Sequence, residues 1–384
     1  MRVGIVCSGV SCLDLFLYGT SPLSTRESLS MVRETQYRAG GITSNTGRAL
    51  VRLGMPTAYM TVIGCDANGD IMMHLWAQDG IDTRYVVRTP EAGTALSTLP
   101  VYQDGKRGVY FCPGTNDIMD IDNLFGPDRA YLAALHERQV FHIGYPPLMQ
   151  RLQGPALADV LRAVRDTGVL VSLDTTPVAD DVTLSRMLGP ALSVAHLFTP
   201  NVMEAAQVAG QFTHLAARAA AATQAHGEAL EIEDIITPEE LLGIGEFLLD
   251  AGLALVVITL GPNGVFLATG SVAALRAMPL APADPAAWAN QRLFVPAYRV
   301  DGPVNTTGAG DTFTAGILTG LCQGISSLRE IAQLAHAASA LHVDLSRGAA
   351  TFADVQRALP TMTLRPPRNP DLLQINTPAA RDAK

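Results

Sequence analysis

The chain has 384 residues, of which 48% are hydrophobic and 16% charged, with a formal net charge of −9 and a pI near 5.3. This composition supports a large buried core and argues against a broad nucleic-acid-binding surface. Its five cysteines include no Cys-x-x-Cys pair, so they predict neither a disulfide framework nor a zinc site and suit a reducing cytoplasm. No apolar run approaches the roughly 18 residues that a membrane span needs.

Short apolar segments alternate with helical patterns along most of the chain. Residues 3–9 predict a buried first strand rather than a signal peptide, because Ser8, Gly9 and Asp14 soon interrupt the apolar run. Residues 43–53 predict a helix that ends near Gly54. Further buried strands are predicted at 57–63, 139–143, 169–173, 196–198 and 254–259. This alternation favours an α/β fold with a parallel sheet covered on both faces.

Two regions, residues 16–38 and 94–112, break this rhythm because their apolar and polar positions alternate. The second region contains Asp104-Gly105, a typical hairpin turn. We expect both regions to form a small antiparallel sheet apart from the main one, which would serve as a lid over the active site or as a dimer surface. An extension of the main sheet is the alternative.

Three other segments lie outside the strand–helix alternation. Residues 211–237 are alanine-rich and then acidic, whereas residues 270–297 carry four prolines and predict a long surface loop. Residues 361–384 are again rich in proline and predict a loosely ordered tail. We therefore expect one domain over residues 1–360, with the first two segments as insertions.

The segment Asn305-Thr306-Thr307-Gly308-Ala309-Gly310-Asp311 is the most informative in the chain. Small residues precede Asp311 and a helical apolar pattern follows it, which predicts a tight turn into a helix N-terminus. Free backbone amides at such a turn can hold an anion. A carboxylate beside that anion suits removal of a proton from an attacking hydroxyl group. Phosphoryl transfer to an alcohol fits this arrangement; the alternative is an aspartate that only stabilises the first helical turn.

Other polar residues and glycines follow predicted strands or open the first long helix, at the sheet edge where ligands bind in open α/β folds. They are Asp14, Gly40, Gly41, Asn45, Asp174, Asn201, Glu204, Thr259, Gly261 and Gly264. Their shared location is more informative than any one of them, since Asn201-x-x-Glu204 also fits a helix capping box and residues 261–264 also fit a hairpin turn. The histidines lack zinc-ligand spacing, and the sequence contains no Gly-x-x-x-x-Gly-Lys-[Ser/Thr] phosphate loop.

Three motifs, in this order along the chain, resemble signatures of the ribokinase-like (PfkB) carbohydrate kinase family. Gly-Gly-Ile-Thr-Ser-Asn at residues 40–45 resembles the N-terminal signature, Asn-Val-Met-Glu at 201–204 the Asn-x-x-Glu motif, and Thr-Thr-Gly-Ala-Gly-Asp-Thr-Phe at 306–313 the C-terminal signature. The resemblance covers roughly residues 3–359. It implies a three-layer α/β/α fold with a mostly parallel central sheet and a small β-sheet lid, which often makes a homodimer contact.

The resemblance also implies a role for each matching residue. Asp311 would be the catalytic base, with an anion hole formed by Gly308, Ala309 and Gly310. The ATP and magnesium region would involve Asn201, Glu204, Thr259, Gly261, Gly264 and Thr307, with Glu204 acting on Mg²⁺ through water. The sugar hydroxyls would be held by Asp14, Gly40, Gly41 and Asn45. The expected partners are a small sugar and ATP, not nucleic acid or a membrane.

Two departures from the family pattern affect these expectations. Asn305 stands where many members have Asp, a side chain that helps bind a monovalent cation in ribokinase, so potassium dependence stays open. Asp174-Thr175-Thr176-Pro177 differs from the Asp-x-Asn-x-Arg of several keto-sugar acid kinases. This difference disfavours 2-keto-3-deoxygluconate as the substrate.

We expect an ATP-dependent kinase of a sugar or sugar derivative. A nucleoside kinase of the same family is the alternative, because Phe16, Tyr18, Tyr37 and Phe111 in the lid regions offer surfaces for stacking a base. A non-catalytic sugar or nucleotide sensor is a third hypothesis, which the intact motif at residues 308–311 disfavours. The sequence identifies neither the sugar nor the oligomeric state.

Overall fold

The computed structural model describes residues 3–21, 29–103, 106–346 and 350–376. The strands in these ranges are β1 Ile5–Gly9, β2 Cys12–Thr20, β3 Glu34–Gly40, β4 Thr57–Met60, β5 Val62–Gly64, β6 Val87–Thr89, β7 Leu96–Tyr102, β8 Tyr110–Cys112, β9 Val140–Gly144, β10 Leu170–Leu173, β11 Leu197–Phe198, β12 Leu255–Thr259, β13 Gly264–Thr269 and β14 Arg292–Pro296. The α-helices are α1 Gly41–Arg52, α2 Ala67–Gln78, α3 Thr115–Ile118, α4 Ile121–Leu124, α5 Leu132–Leu135, α6 Pro155–Arg165, α7 Asp181–Leu192, α8 Val202–Val208, α9 Phe212–His226, α10 Ile232–Ile235, α11 Pro238–Asp250, α12 Val272–Arg276, α13 Pro285–Trp288, α14 Ala309–Cys322, α15 Leu328–Val343 and α16 Phe352–Ala358.

An eight-stranded sheet forms the centre of the described structure, in the order β14-β13-β12-β11-β10-β9-β1-β4. Neighbours from β12 to β4 pair in parallel, and β13 and β14 add an antiparallel edge. β9 and β10 are buried along their whole length, which explains why their sequences are mostly apolar rather than alternating, with His142 and Ser172 as the polar residues. The prediction of a mostly parallel central sheet is confirmed.

Helices cover both faces of this sheet. Successive side chains of β1 belong to different hydrophobic clusters. Val6 shares one cluster with Leu157 of α6, and Ile5 shares the other with Leu50 of α1. This division follows from the alternation of side chains across a strand. None of the helices within the described ranges combines the length and the apolar character that crossing a bilayer requires.

A second, four-stranded sheet has the order β3-β2-β7-β8 and corresponds to the predicted lid regions. The prediction of a separate small sheet is confirmed, but the sheet is not wholly antiparallel, because β2 and β7 pair in parallel. These two strands come from distant parts of the chain, so no tight hairpin dictates their direction. The expected turn at Asp104-Gly105 lies outside the described residues.

Residues 270–297 differ from the long surface loop that their prolines predict. They contain α12 and α13, and β14 pairs with β13 in antiparallel orientation. Three of the four prolines precede the strand and Pro296 is its last residue, on the edge of the sheet, where a missing amide donor is tolerated. The segment at 211–237 is helical as well, with α9 and α10.

The tail also differs from the expected loose order, as far as Asn376. Leu372 and Ile375 are buried in the core. The Asn376 side chain accepts a hydrogen bond from the Phe294 amide at 3.0 Å and donates one to its carbonyl oxygen at 2.8 Å. Apolar burial and this paired amide therefore fix a proline-rich segment to β14. Residues 377–384 lie outside the described part of the chain.

Candidate active site

The carboxyl ends of the parallel strands bring most of the predicted site residues to one edge of the sheet. Asp174 follows β10, Asn201 follows β11, and Thr259 ends β12. Asn201 and Thr259 also form a parallel bridge, and the Thr259 amide donates to the Pro200 carbonyl oxygen at 3.0 Å. These neighbours therefore share one edge although they are distant in sequence.

Asp311 lies in the first turn of α14, and only 7% of its surface is exposed. The hydroxyl group of Thr46, on α1, donates to Asp311 Oδ1 at 3.1 Å. Burial raises the pKa of Asp311 to about 6, while hydrogen bonds from Thr46 and Asn45 and the charge of Arg48 oppose that rise. A carboxylate with such a pKa is ionised at neutral pH and is also basic enough to accept a proton.

The turn before α14 leaves backbone amides available. Gly308 has a φ of 77°, and the Ala309 amide donates to the Thr306 carbonyl oxygen at 3.1 Å. Among the described residues, none accepts a hydrogen bond from the amides of Gly308 or Gly310. Of the three predicted anion-hole residues, two thus keep an unused donor at a helix N-terminus, where donors stabilise anions.

The end of α15 holds this turn in place. The Asn305 amide donates to the Val343 carbonyl oxygen at 2.9 Å, and Asn305 Oδ1 accepts from the Thr307 amide at 3.0 Å. His342 Nε2 lies 2.9 Å from the Thr307 carbonyl oxygen. Asn305 therefore has a local structural role. His342 was not predicted from the sequence, because only the fold brings it to a turn 35 residues away.

Two glycines shape the start of α1. A Cβ atom on Gly40 would lie 2.0 Å from Asp14 Oδ2, so only glycine lets the carboxylate lie there. Gly41 has a φ of 76°, and its Cβ atom would lie 2.3 Å from the Val10 carbonyl oxygen. Burial raises the pKa of Asp14, and a hydrogen bond from Cys12 opposes this rise. The two glycines thus place the predicted acceptor residues close to α1.

A cavity of about 940 Å³ joins the acceptor residues to the turn before α14. Its lining includes Asp14 and Arg38 from the lid, Asn45 from α1, and Thr306, Thr307 and Gly308 from the turn. Asp14 of the lid and Gly308 of the turn therefore line one space, whereas Asp311 is not among its described lining residues and is linked to it through the hydrogen bond from Asn45. Gly40 and Gly41 do not line the cavity; they affect it through the positions of Asp14 and α1.

Asn201 and Glu204 form a reciprocal capping box at the start of α8. The Asn201 amide donates to Glu204 Oε2 at 2.8 Å, and the Glu204 amide donates to Asn201 Oδ1 at 2.9 Å. Burial raises the pKa of Glu204, the hydrogen bond from Asn201 opposes the rise, and the charge of Asp311 adds to it. The helix cap that the sequence allowed is therefore present, and it holds a carboxylate in the electrostatic field of Asp311.

Asp174 and Tyr145 complete a buried acidic group around Asp311. Burial raises the pKa of Asp174 well above its ordinary value, and the charges of Glu204 and Asp311 raise it further. The pKa of Tyr145 is also raised, first by the charge of Asp311. Tyr145 directly follows β9 with a φ of 62°. Sequence reasoning missed it, and its position after a buried strand was the available signal.

Of the predicted nucleotide residues, Thr259 ends β12, Gly261 lies in the connection that follows, and Gly264 begins β13. This connection joins an antiparallel pair, as the hairpin alternative proposed. The inserted segment packs against it: a Cβ atom on Gly261 would lie 3.1 Å from Glu233 Oε1, and Asn263 Nδ2 donates to the Glu233 carbonyl oxygen at 2.9 Å. The sequence did not predict this contact between an insertion and a candidate phosphate loop.

Comparison with known sequences identifies relatives of the chain. Residues 4–354 match the profile of the pfkB family of carbohydrate kinases. The bifunctional ribokinase/ribose-5-phosphate isomerase A of Fructilactobacillus sanfranciscensis is 24% identical over 335 residues, 87% of this chain and 50% of that protein, so the chain spans about half of this relative. The ribokinase of Staphylococcus aureus is 23% identical over 339 residues, which cover 88% of this chain and 93% of that protein.

Comparison with solved structures supports the fold. The Arabidopsis thaliana ribokinase complexed with ribose and ATP matches with a TM-score of 0.69 and 20% identity, over 94% of this chain and 99% of that one. At this identity the likeness establishes the fold alone. The profile match, by contrast, covers nearly the whole chain, including the three motifs. The chain therefore belongs to the pfkB family of carbohydrate kinases, and its assignment as a sugar kinase is confirmed.

Proposed function

We propose that the protein transfers the γ-phosphoryl group of ATP to a hydroxyl group of a sugar or sugar derivative. The observation that carries this proposal is the start of α14. There a buried carboxylate, Asp311, with a pKa raised to about 6, shares one helical turn with the unused amides of Gly308 and Gly310. A base and an anion site so close together suit an alcohol attacking a phosphoryl group.

In this proposal Asp311 accepts the proton of the acceptor hydroxyl as its oxygen attacks the γ-phosphorus. The new oxygen–phosphorus bond forms while the bond to the β-phosphate oxygen breaks, and ADP leaves. The amides of Gly308 and Gly310 donate to the phosphoryl oxygens and stabilise their charge. Thr46 keeps the Asp311 carboxylate in place through its hydrogen bond of 3.1 Å.

The nucleotide would bind along Asn201, Thr259, Gly261, Gly264 and Thr307, next to the turn. Mg²⁺ prefers few protein carboxylates together with water and phosphate oxygens, and Glu204 fits this preference because one of its oxygens is already held by the Asn201 amide. Bound Mg²⁺ would neutralise phosphate charge. Glu204 and Asn201 would hold it through water, and the raised pKa of Glu204 would fall beside the cation.

The acceptor would lie between the lid and α1, where Asp14 and Asn45 line the cavity. A sugar is favoured over a nucleoside because Tyr37 and Phe111, two of the four aromatic candidates, lie outside the described lining. The other two, Phe16 and Tyr18, line the cavity but are already engaged by Arg38, whose guanidinium lies 4.8 Å from the Phe16 ring centroid and donates to the Tyr18 hydroxyl at 3.2 Å. Hydroxyl recognition by a carboxylate and an amide therefore suits this cavity better than base stacking.

We also expect a homodimer formed through the lid. Tyr37 on β3, Tyr110 on β8 and Val109 directly before β8 are 46%, 71% and 59% exposed, apolar surface that a partner lid could cover. Light scattering should give the mass of a dimer for the wild type and of a monomer for Tyr110→Lys. A monomeric wild type would contradict this expectation.

The proposed activity is best tested by ADP release from Mg-ATP across a panel of sugars, sugar phosphates, sugar acids and nucleosides, with Asp311→Asn as the blank. At least one sugar or sugar derivative should release ADP well above that blank. Turnover restricted to nucleosides would favour the alternative acceptor. Comparable turnover by wild type and Asp311→Asn would contradict the proposed role of Asp311.

A further inference from the structure

The acceptor cavity carries an excess of positive charge, although the chain as a whole has a net charge of −9. Its described lining includes Arg38, Arg48, Arg52 and Arg107, and Asp14 is the only acidic residue among the lining positions in the described ranges. A neutral sugar needs hydroxyl partners, not several guanidinium groups. Cations concentrated in a cleft attract anions and are the usual means of binding phosphate and carboxylate groups.

Two of these cations are neighbours on one face of α1. Arg48 pairs with Asp79 at 2.8 Å and donates to the Ala39 carbonyl oxygen at 2.9 Å, so its position is fixed. Burial lowers the pKa of Arg52, the charge of Arg48 lowers it further, and the charge of Asp79 opposes this decrease only in part. No described residue makes an ion pair or a hydrogen bond with the Arg52 side chain. Like charges in a half-buried groove destabilise the empty protein, and a bound anion would relieve that repulsion.

The lid faces these helical arginines with further positive charge. Arg38 on β3 donates to Gln36 Oε1 at 2.7 Å and to the Tyr18 hydroxyl at 3.2 Å, which are neutral partners that leave its charge uncompensated. Arg107 lies near Asp14, whose pKa is raised by burial and lowered in part by the Arg107 charge. An acceptor held by Asp14 would therefore have guanidinium groups both above it and beside it.

The arginines belong to the acceptor side of the cavity rather than to the nucleotide side. They lie on α1 and on the lid, the elements that also carry Asn45 and Asp14. The candidate nucleotide residues outside the α14 turn do not line this cavity; they are Asn201, Glu204, Thr259, Gly261 and Gly264. ATP phosphates would reach the cavity only at residues 306–308, so the charge further along α1 has another purpose.

We propose that the acceptor is an anionic sugar derivative, whose phosphate or carboxylate group is bound by Arg52 and Arg107 while its reacting hydroxyl faces Asp311. This inference rests on the proposed kinase function and names the class of its acceptor. Phosphate and carboxylate are both recognised by the planar guanidinium fork. The geometry therefore does not separate a sugar phosphate from a sugar acid, and the experiment below distinguishes them.

The test compares a neutral sugar, its phosphate ester and its sugar acid as acceptors, for several sugars. Arg52→Gln and Arg107→Gln remove one charge each, and Arg162→Gln, an exposed arginine of α6, is the matched control. For the anionic acceptor, loss of a charge-assisted hydrogen bond should raise KM about tenfold or more. The KM for ATP should change less than about twofold, and Arg162→Gln should behave as wild type.

Each contrary result has a distinct meaning. Neutral sugars that match or exceed their anionic derivatives in kcat/KM would overturn this inference and leave the kinase function intact. A raised KM for ATP in Arg52→Gln and Arg107→Gln would assign the arginines to the nucleotide and also overturn it. Absence of ADP release above the Asp311→Asn blank for every acceptor would instead contradict the proposed function.

A binding measurement separates these two failures without turnover. Inorganic phosphate at millimolar concentration should raise the Tm of the wild type and of Arg162→Gln, and it should raise the Tm of Arg52→Gln by a smaller amount. Equal shifts in all three proteins would overturn the anion site, whatever the activity. Loss of the shift only in Arg52→Gln would support the site even if the panel lacked the true acceptor.

Discussion

The start of α14 together with the proposed acceptor residues, on the one hand, and the proposed nucleotide residues after β11 and β12, on the other, use their polar groups differently; they are called here the acceptor side and the nucleotide side. Around the start of α14, the amides of Gly308 and Gly310 have no partner among the described residues. On the nucleotide side, Asn201 and Glu204 form hydrogen bonds with each other. Asn263 binds the insertion by donating to the Glu233 carbonyl oxygen, and it binds the tail by accepting from the Arg368 amide at 2.6 Å. The first region keeps its donors for a ligand, whereas the second region also supports the fold.

This difference predicts separable consequences of mutation. Substitutions on the acceptor side should change catalysis with little effect on stability, because they remove few native contacts. Substitutions on the nucleotide side should change both, because the same groups cap α8 and join the β12–β13 connection to the insertion. The following experiments test this contrast, from the largest expected effect to the smallest.

Asp311→Asn should lower kcat by about 10²–10⁴, the usual contribution of a positioned base. Its affinity for ATP should stay close to that of the wild type, because the amides of Gly308 and Gly310 remain. ADP release and calorimetric ATP binding measure the two quantities. A loss of ATP affinity as large as the loss of kcat would show that Asp311 acts in binding and would remove the contrast.

Gly40→Ala should reduce kcat/KM for the acceptor about 100-fold, because a shift of about 1 Å in a positioning group has that cost. The added Cβ atom would lie 2.0 Å from Asp14 Oδ2, so the carboxylate must move. Gly243→Ala is the matched control, since a Cβ atom there meets no heavy atom within 4 Å. Equal effects of the two substitutions on acceptor kinetics would contradict the role of Asp14.

Asn201→Ala should destabilise the protein by about 1 kcal/mol, the usual cost of losing a helix N-cap. It should also raise the KM for ATP several-fold if Asn201 contacts the nucleotide. Ser327→Ala removes the N-cap of α15, where the Ser327 side chain accepts from the Glu330 amide at 3.3 Å, and is the control. Denaturant unfolding should show similar losses of stability for Asn201→Ala and Ser327→Ala. A KM for ATP that is the same in Asn201→Ala as in Ser327→Ala would limit Asn201 to capping.

Glu233→Gln should produce the smallest effect, a decrease of about two- to fivefold in the KM for ATP, which corresponds to about 0.5–1 kcal/mol. Glu233 Oε1 lies 3.1 Å from the position of a Cβ atom on Gly261, so its charge would repel a nearby phosphate. The measurement belongs at pH 8, because burial raises the pKa of Glu233. Glu239→Gln, exposed on α11, is the control. An increased KM would indicate an attractive role for Glu233.

The sequence predicted the fold where the signal was local. Mostly apolar segments such as β9 and β10 identified the buried parallel strands, and the motif at residues 306–313 located the start of α14. The parallel pairing of β2 with β7 was not predictable in the same way, because it joins segments about 80 residues apart. Prolines at 270–297 and in the tail suggested loops, whereas burial of Leu372 and Ile375 decided the tail's conformation.

The site was predictable to the extent that its residues lie in motifs. Asp14, Asn45 and Asp311 were named from the sequence, and the structure brings them to the same region. Tyr145, His342 and Glu233 were missed, because their relation to the site depends on contacts between distant elements. The positive lining was missed for the same reason, since its arginines are spread over β3, α1 and the segment before β8.

The central claim, that Asp311 acts as a base within this buried environment, is tested most directly by the pH dependence of kcat/KM. With a pKa raised to about 6, Asp311 is protonated at lower pH, so the rate should fall as pH decreases below 6 and level off above it. Thr46→Val removes a donor that stabilises the carboxylate and should move this limb upward by about one pH unit. A flat profile, or a limb that Thr46→Val leaves in place, would contradict the account.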